Sequence, residues 1–491
     1  MNLLTAALAI AAVFVRPMER VRTCDPMHAV STYECYASSL LYETPLTVDY
    51  AARPYALRSG VVELPKISKD GRTYEFKIIK KEISPDAIIG SMKRILDPGN
   101  VSPNAWLLKD VESVEKTSDD SFVIRLKRRN HYFSWVMALP QLGVVLPDGS
   151  GTGPFRLKFW RKNHEMEFVR KNLHLLGDDP GRIDVVRYLV VDDPMTQWLM
   201  FLKGELNFIE DLSRDNLDAI LAEGSLLENA DATSYKGDIL QLDYIGFNMQ
   251  DKVLGNNVFL RRALNASFNF SEWKKFLNSL AEHATTPVPY GISGRVEEDF
   301  EYSFNLEKAK CLMIEAGYPG GIDPKTGRRL ELTLTLGRAS QQTREMGELF
   351  ASFFEKIGVK LNLDFMTWDA FLSAVNEGRV QMFSMAWVGD YPDAQNFLQL
   401  FYSRHLRPGP NRVAYCNEQY DRLYEKALNV ESDDERMECW RACQEIIRSD
   451  VPLIMLDYKK SFVVGKKSLK GYRPGDFQFG REAFFRIEKR N

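Results

Sequence analysis

The spacing of apolar and polar positions along this chain changes period repeatedly, and each change marks an element. Tyr74-Glu75-Phe76-Lys77-Ile78 alternates as a half-buried strand does, directly after the turn Lys69-Asp70-Gly71. Ser84-Pro85-Asp86 then opens a helix, with Ser as N-cap and Pro at the first helical position. Ile88, Ile89, Met92, Ile95 and Leu96 fall on one face of that helix. Residues 111–114 and 122–126 read as two more strands around the turn Ser118-Asp119-Asp120, so this stretch is an α+β lobe.

Further along, residues 149–155 read Gly-Ser-Gly-Thr-Gly-Pro-Phe. A phosphate-binding glycine loop must open a helix, so that the helix N-terminus meets the phosphates. This loop runs instead into Pro154 and the strand-like residues 155–159, which argues against nucleotide binding. Residues 305–316 are helical, capped by Asn305 and stopped by Gly317. Residues 418–430, with Asn417 as N-cap, and 434–448 form a helix pair. Residues 382–387 (Met-Phe-Ser-Met-Ala-Trp) read as a buried strand leading into a turn-rich loop, 388–393. Neither an internal repeat nor a low-complexity linker interrupts the pattern.

At 491 residues the chain is too long for a single core, so two or three lobes are expected. Net charge is −3, from 64 basic and 67 acidic residues well mixed, which leaves no basic footprint for nucleic acid. The surplus of aromatics (29 Phe, 20 Tyr and 8 Trp) fills cores and suits a cleft that grips ligands by ring faces. Cys24, Cys35, Cys311, Cys416, Cys439 and Cys443 form no CxxC pair and read as buried or half-buried thiols. A Cys24–Cys35 disulfide is an open alternative in an oxidising compartment. The apolar run Met1 to Val15 is too short to span a bilayer and lacks a basic residue before it, so it makes a poor signal peptide. Export then uses a degenerate signal, or the true start lies upstream of Met1.

The six histidines (His28, His131, His164, His174, His283 and His405) show no metal spacing, and no GxSxG nucleophile elbow appears. A hydrolase using two carboxylates distant in sequence is the surviving enzyme alternative. No cofactor and no metal are expected, and the chain reads as a binding protein, not an enzyme.

Short motifs in register resemble the family 5 extracellular solute-binding proteins, the dipeptide- and oligopeptide-binding type that serve ABC importers. Asp25-Pro26 with residues 41–46 looks like the family's opening "LDP … lyegL". Residues 94–98 (Arg-Ile-Leu-Asp-Pro) are similar to "kRlldP", and residues 151–155 match GTGP[YF]. Residues 204–207, 245–248, 260–264 and 305–317 resemble "GelD", "l.fN", "vRqAl" and "d.ekAk.LL.eAGy". Residues 387–397 are similar to "W..Dy.dp.nfl". The chain departs from the family in lacking "gvkFhdG" before the Ser84 helix and in carrying Cys24 where Leu is usual.

The resemblance implies an α/β, two-lobed periplasmic-binding-protein fold (type II, cluster C like). It adds a small α+β lobe and a ligand cleft that closes by hinge motion. Residues 1–47, 150–242 and 464–491 would form the first cleft lobe, 48–149 the small lobe and 243–463 the second cleft lobe. Hinge crossings are expected near 244–249 and 462–465. Implied partners are a peptide or other small solute and the permease subunits of an ABC importer in the membrane. No nucleic acid is expected, and the protein would be an extracytoplasmic, periplasmic or surface-associated monomer. A peptide's ammonium end taken out of water needs an acid to meet it. By the resemblance that acid is Asp390, with Trp387 packing on the ligand, Tyr391 and Asp393 lining or supporting the site, and Tyr33 and Glu34 as further candidates. On spacing alone, Asp390 and Asp393 would simply shape a turn. Relatives with the same framework bind nickel chelates, oligosaccharides, opines or cell-wall peptides, so those ligands remain alternatives.

Overall fold

The computed structural model describes residues 12–18, 20–49, 52, 55–171, 182–210, 212, 214–222, 225–407, 409–474, 479 and 485–487. The apolar residues 1–11, and His174, lie outside the described residues. The chain forms two compact units, Met1–Gly237 with Ser461–Asn491, and Asp238–Lys460. Two long strands, Ala232–Phe247 and Leu453–Lys466, carry the chain from one to the other.

In the first unit, Val13–Met18 pairs in parallel with Val185–Val190. That strand continues antiparallel to Glu165–Arg170, which in turn pairs with Phe155–Arg161. The end of the apolar opening run is therefore a sheet strand. Phe14 is fully buried in a cluster with Phe155, Phe168, Val186, Tyr188 and Phe208. The helix Thr32–Leu41 packs Ala37, Leu40 and Leu41 into the same cluster.

The glycines of residues 151–153 are explained at the end of that helix. Gly153 N–H donates to the Leu41 carbonyl at 2.7 Å. A Cβ on Gly153 would stand 2.5–2.7 Å from Leu40–Tyr42 backbone atoms, and one on Gly151 only 2.0 Å from Leu41 O. Thr152 between them accepts from Glu43 N–H and donates to the Val144 carbonyl. The motif is a backbone-to-backbone seat for a helix end, and the chain leaves it as the strand Phe155–Arg161, as its sequence requires.

The α+β stretch forms an antiparallel sheet in the order Lys66–Ile67, Thr73–Lys77, Ser121–Leu126, Val111–Lys116. The helix Pro85–Leu96 is capped by Ser84, which accepts from Ala87 N–H. Ile88, Ile89, Met92 and Ile95 are buried, each contributing about 1.5–3 kcal/mol. Leu96, expected on that face, sits in the last turn at 38% exposure. Two separate motifs meet here, because Arg94 pairs with Asp25 at 2.5 Å. Cys24 and Cys35 are not bonded to each other. Burial, helped by Glu34, pushes the Cys24 thiol up to about 12, so it stays protonated.

The second unit is built on a mixed sheet. Its order runs from Leu453–Lys466 through Ala232–Phe247, Met382–Val388 and Glu331–Leu336 to Lys360–Phe365, with Ala281–His283 paired to the first strand. Glu331–Leu336 is parallel to both neighbours, while Met382–Val388 runs antiparallel to Ala232–Phe247. The helices Leu306–Glu315, Glu418–Asn429 and Asp433–Asp450 lie where their periodicity predicts, with caps Asn305, Asn417 and Ser432. Arg261, from the "vRqAl"-like helix, is buried and donates to the carbonyls of Leu254, Gly255, Asp450 and Val451. It thereby satisfies the orphan carbonyls at the end of the Asp433–Asp450 helix.

Candidate functional site

The candidate site grows from the strand Met382–Val388 and the loop that follows it. Alternation places Met385 and Trp387 on one face, opposite Tyr244 and Leu242 of the neighbouring strand. Gly389 turns the chain where a Cβ would meet the Phe397 ring at 2.9 Å. Its N–H is tied to the Leu240 carbonyl at 2.6 Å. Asp393 then caps the short helix Ala394–Leu398, accepting from Gln395 N–H.

Asn396, fully buried on that helix, is the hub. Its carbonyl oxygen accepts the Trp387 indole N–H at 3.0 Å and the Asp390 backbone N–H at 3.1 Å. Its amide donates to Asp390 Oδ2 at 3.2 Å. Asp390 retains part of its surface, yet burial drives its carboxyl above the ordinary range, with Asn396 working the other way. A desolvated carboxylate with one neutral donor is the environment that gains most from a cation.

The two neighbours named with Asp390 face inward. Tyr391 is 1% exposed and donates its hydroxyl to Gln395, whose amide donates to the Tyr424 hydroxyl at 2.6 Å. Besides Gln395 N–H, Arg436 Nη2 meets both Asp393 carboxylate oxygens, at 2.8 and 2.9 Å, with both side chains largely buried. These two residues hold the loop in place from beneath. Asp390 and Trp387 are half-buried and joined through Asn396.

Tyr33 and Glu34 belong to the first unit. Tyr33 is half-buried against the Phe14 cluster. Glu34 is the third residue of a capping box with Ser31, and it also accepts from Arg22 Nε at 3.0 Å and Val30 N–H at 2.9 Å. Burial pulls its carboxyl up, but the donors from Val30, Arg22 and Ser31 outweigh that and hold it low. Its oxygens are thus spent on the N-terminus of the Thr32–Leu41 helix.

The residue that sequence reasoning missed is Asn396. It stood inside the "W..Dy.dp.nfl"-like segment, three positions after the cap Asp393, but its role depends on the helix turning it back beneath Trp387 and Asp390.

Comparison with known proteins gives a consistent answer. Residues 56–405 match the model described as bacterial extracellular solute-binding proteins, family 5 Middle. Heme-binding protein A of Haemophilus influenzae is 26% identical, covering 88% of this chain and 84% of that protein. Di/tripeptide-binding protein 2 of Pseudomonas aeruginosa is 22% identical, covering 91% and 90%. Among solved structures, the periplasmic binding protein DppA from Helicobacter pylori in complex with peptide STSA superposes with a TM-score of 0.82. It is 21% identical and covers 98% of each chain. The fold is thereby the α/β periplasmic-binding-protein fold expected from the motifs.

Proposed function

This chain belongs to the bacterial extracellular solute-binding proteins, family 5, and from that premise we propose that it captures short peptides for an ABC importer. The observation that carries the peptide reading is Asp390, an acid raised by burial and held rigidly beside the half-exposed Trp387. Asp390 pairs the ligand's ammonium and Trp387 packs against its first residue, while Tyr391 and Asp393 fix the loop. The names of the relatives support this reading, since di/tripeptide-binding and dipeptide-binding proteins are among them. Placement outside the cytoplasm, in the periplasm or at the cell surface, and delivery to permease subunits follow from the family. The lobe division 1–47 with 150–242 and 464–491, 48–149, and 243–463 is part of the proposal. The unit boundaries at Gly237/Asp238 and Lys460/Ser461 support its outer division, lying six residues before the crossing expected at 244–249 and one before that expected at 462–465.

The test is a thermal-shift panel of mixed di- to pentapeptides, sugars and metal chelates. A ligand at 100 times its Kd stabilises the folded state by about 2.7 kcal/mol. Peptides should shift the wild-type protein, and N-acetylated peptides or the Asp390→Ala variant should not give that shift. Equal shifts with acetylated and free peptides would remove the ammonium-pairing role. A response to heme, sugars or chelates alone would keep the family and replace the ligand.

A further inference from the structure

Two acids of the second unit take no part in the site described above. Asp243 lies on the strand Ala232–Phe247 and Asp457 on Leu453–Lys466, which are neighbours in one sheet. Asp457 is 1% exposed, and its Oδ1 accepts the Trp273 indole N–H at 2.7 Å. Its Oδ2 is buried without a hydrogen-bond partner. The half-buried Asp243 accepts from Gln241 Nε2 at 2.9 and 3.1 Å. Among the described residues neither acid has a cation within ion-pair reach.

The charged groups around the pair leave it uncompensated. Lys459, two residues along from Asp457 on the same face, acts on both carboxyls but is itself exposed. His283 stands opposite Asp457 on the strand Ala281–His283, and burial pushes it down to about 4, so it is neutral. Glu282 of that strand points to the other face and is met by Lys460 and Lys274. On the other side of Asp243, the strand Met382–Val388 sets the uncharged Ala386 opposite it. A carboxylate taken out of water without a counter-charge holds a proton instead. Burial, with Asp243 adding to it, accordingly raises Asp457 to about 8, and burial raises Asp243 as well. Acids that interact keep their protons as a pair, and losing the last one sets two negative charges against each other.

The strand that carries Asp243 also holds the candidate site. Its Gln241, Leu242 and Asp243 pair with Val388, Trp387 and Ala386, and its Leu240 carbonyl accepts the Gly389 N–H at the turn before Asp390. We propose that Asp243 and Asp457 form a proton switch on the solute site. One shared proton keeps their two strands together and the Trp387–Asp390 segment in place, and its loss to solvent as the pH rises lowers solute affinity. The switch rests on the solute-binding reading and adds regulation to it, whatever the solute. Once both carboxyls are ionised, they repel across neighbouring strands in surroundings that screen charge poorly. The strain falls beside Trp387, because Asp243 and Ala386 are direct partners in the ladder.

The experiment measures affinity for a pool of mixed di- to pentapeptides by calorimetry, at about pH 6 and about pH 9, on the wild-type protein and on Asp457→Asn. If only the protonated pair binds, wild-type affinity falls about tenfold one pH unit above the titration, since the competent fraction sets the apparent Kd. Asp457→Asn keeps the acceptor for Trp273 and removes the switch, so its loss on the same pool should be smaller by that factor. Titration of the peptides themselves is common to both proteins. Equal losses in the two would overturn the proposal. Amide hydrogen exchange of residues 386–389, corrected for its intrinsic pH dependence, reads the switch with no solute present. Protection there should fall from about pH 6 to about pH 9 in the wild type and stay level in Asp457→Asn. Unchanged protection in the wild type would overturn the switch even where peptides bind. Should no peptide bind at either pH, the peptide reading fails and the exchange result decides the switch. Should Asp457→Asn fail to fold, Asp243→Asn, which removes the like charge, takes its place with the same expectation.

Discussion

Asn396 holds Asp390 at two points, accepting its backbone N–H and donating to its carboxylate. The same carbonyl oxygen takes the indole N–H of Trp387. One buried amide therefore sets the relative position of the acid and the ring proposed to meet the ligand. The arrangement works because an Asn side chain presents an acceptor and two donors from one rigid plane.

Replacing that amide should separate stability from recognition. Asn396→Ala leaves the Trp387 and Asp390 N–H groups unsatisfied and should cost about 2–3 kcal/mol in urea unfolding. Asn396→Asp keeps the acceptor but sets a second carboxylate against Asp390. It should weaken peptide binding out of proportion to its loss of stability. Binding at the wild-type level in Asn396→Asp would show that Asp390 does not act through this contact.

Asp393 and Arg436 form a buried pair with side chains 13% and 6% exposed. Breaking it from one side strands a charge, so Asp393→Ala should lose about 3–5 kcal/mol. The double variant Asp393→Ala/Arg436→Met should regain much of that, and a double-mutant cycle measures the coupling. Peptide affinity of the double variant close to wild type would confirm that Asp393 is a support and not a contact.

Gly153→Ala should be strongly destabilising although it adds one methyl group. The new Cβ would stand 2.5 Å from the Leu41 carbonyl carbon and 2.6 Å from Leu40 O, and backbone atoms have nowhere to retreat. A loss of about 2–3 kcal/mol in a chemical unfolding curve is expected, the range of overpacked positions. A neutral substitution would mean that the seat for the helix end is looser than its geometry.

Asp457 makes stability depend on pH in an unusual sense. Burial, with Asp243 adding to it, pushes its carboxyl up to about 8, against the donated Trp273 indole N–H and Lys459. The unfolded chain loses this proton near pH 4, whereas the folded chain keeps it to about pH 8. The folded state therefore binds more protons throughout that window, and its stability falls as pH rises from about 4 to 8. Asp457→Asn keeps an acceptor for Trp273 and removes the titration. Its advantage over wild type should grow from pH 5 to pH 8, read as the difference in urea midpoints. Some slope should persist, because burial also raises Asp243. Parallel curves for the two proteins would refute the role assigned to Asp457.

Much of the local structure was legible from the chain. Ser84-Pro85, Asn305, Gly317 and Asn417 act as the caps and stops that their chemistry dictates, because a capping side chain bonds to backbone within three residues of itself. The strand read after the glycine motif is present as Phe155–Arg161. Residues 13–15 were harder, because an apolar stretch carries no record of its pairing partner, here residues 185–187. Leu96 shares the helical face in projection, but as the last residue of the helix it stays 38% exposed.

The sequence by itself determined the family, the mixed α/β class and the elements of the 382–398 segment, since those depend on local pattern and a contiguous motif. Only the tertiary structure separated Asp390 from Tyr391 and Asp393 and brought Asn396 against both Trp387 and Asp390. Those outcomes depend on burial and on which partner meets each side chain, Asn396 for Asp390 and Arg436, 43 residues away, for Asp393. Whether a polar side chain is spent or available depends on which partners the fold brings to it, and spacing along the chain does not carry that information.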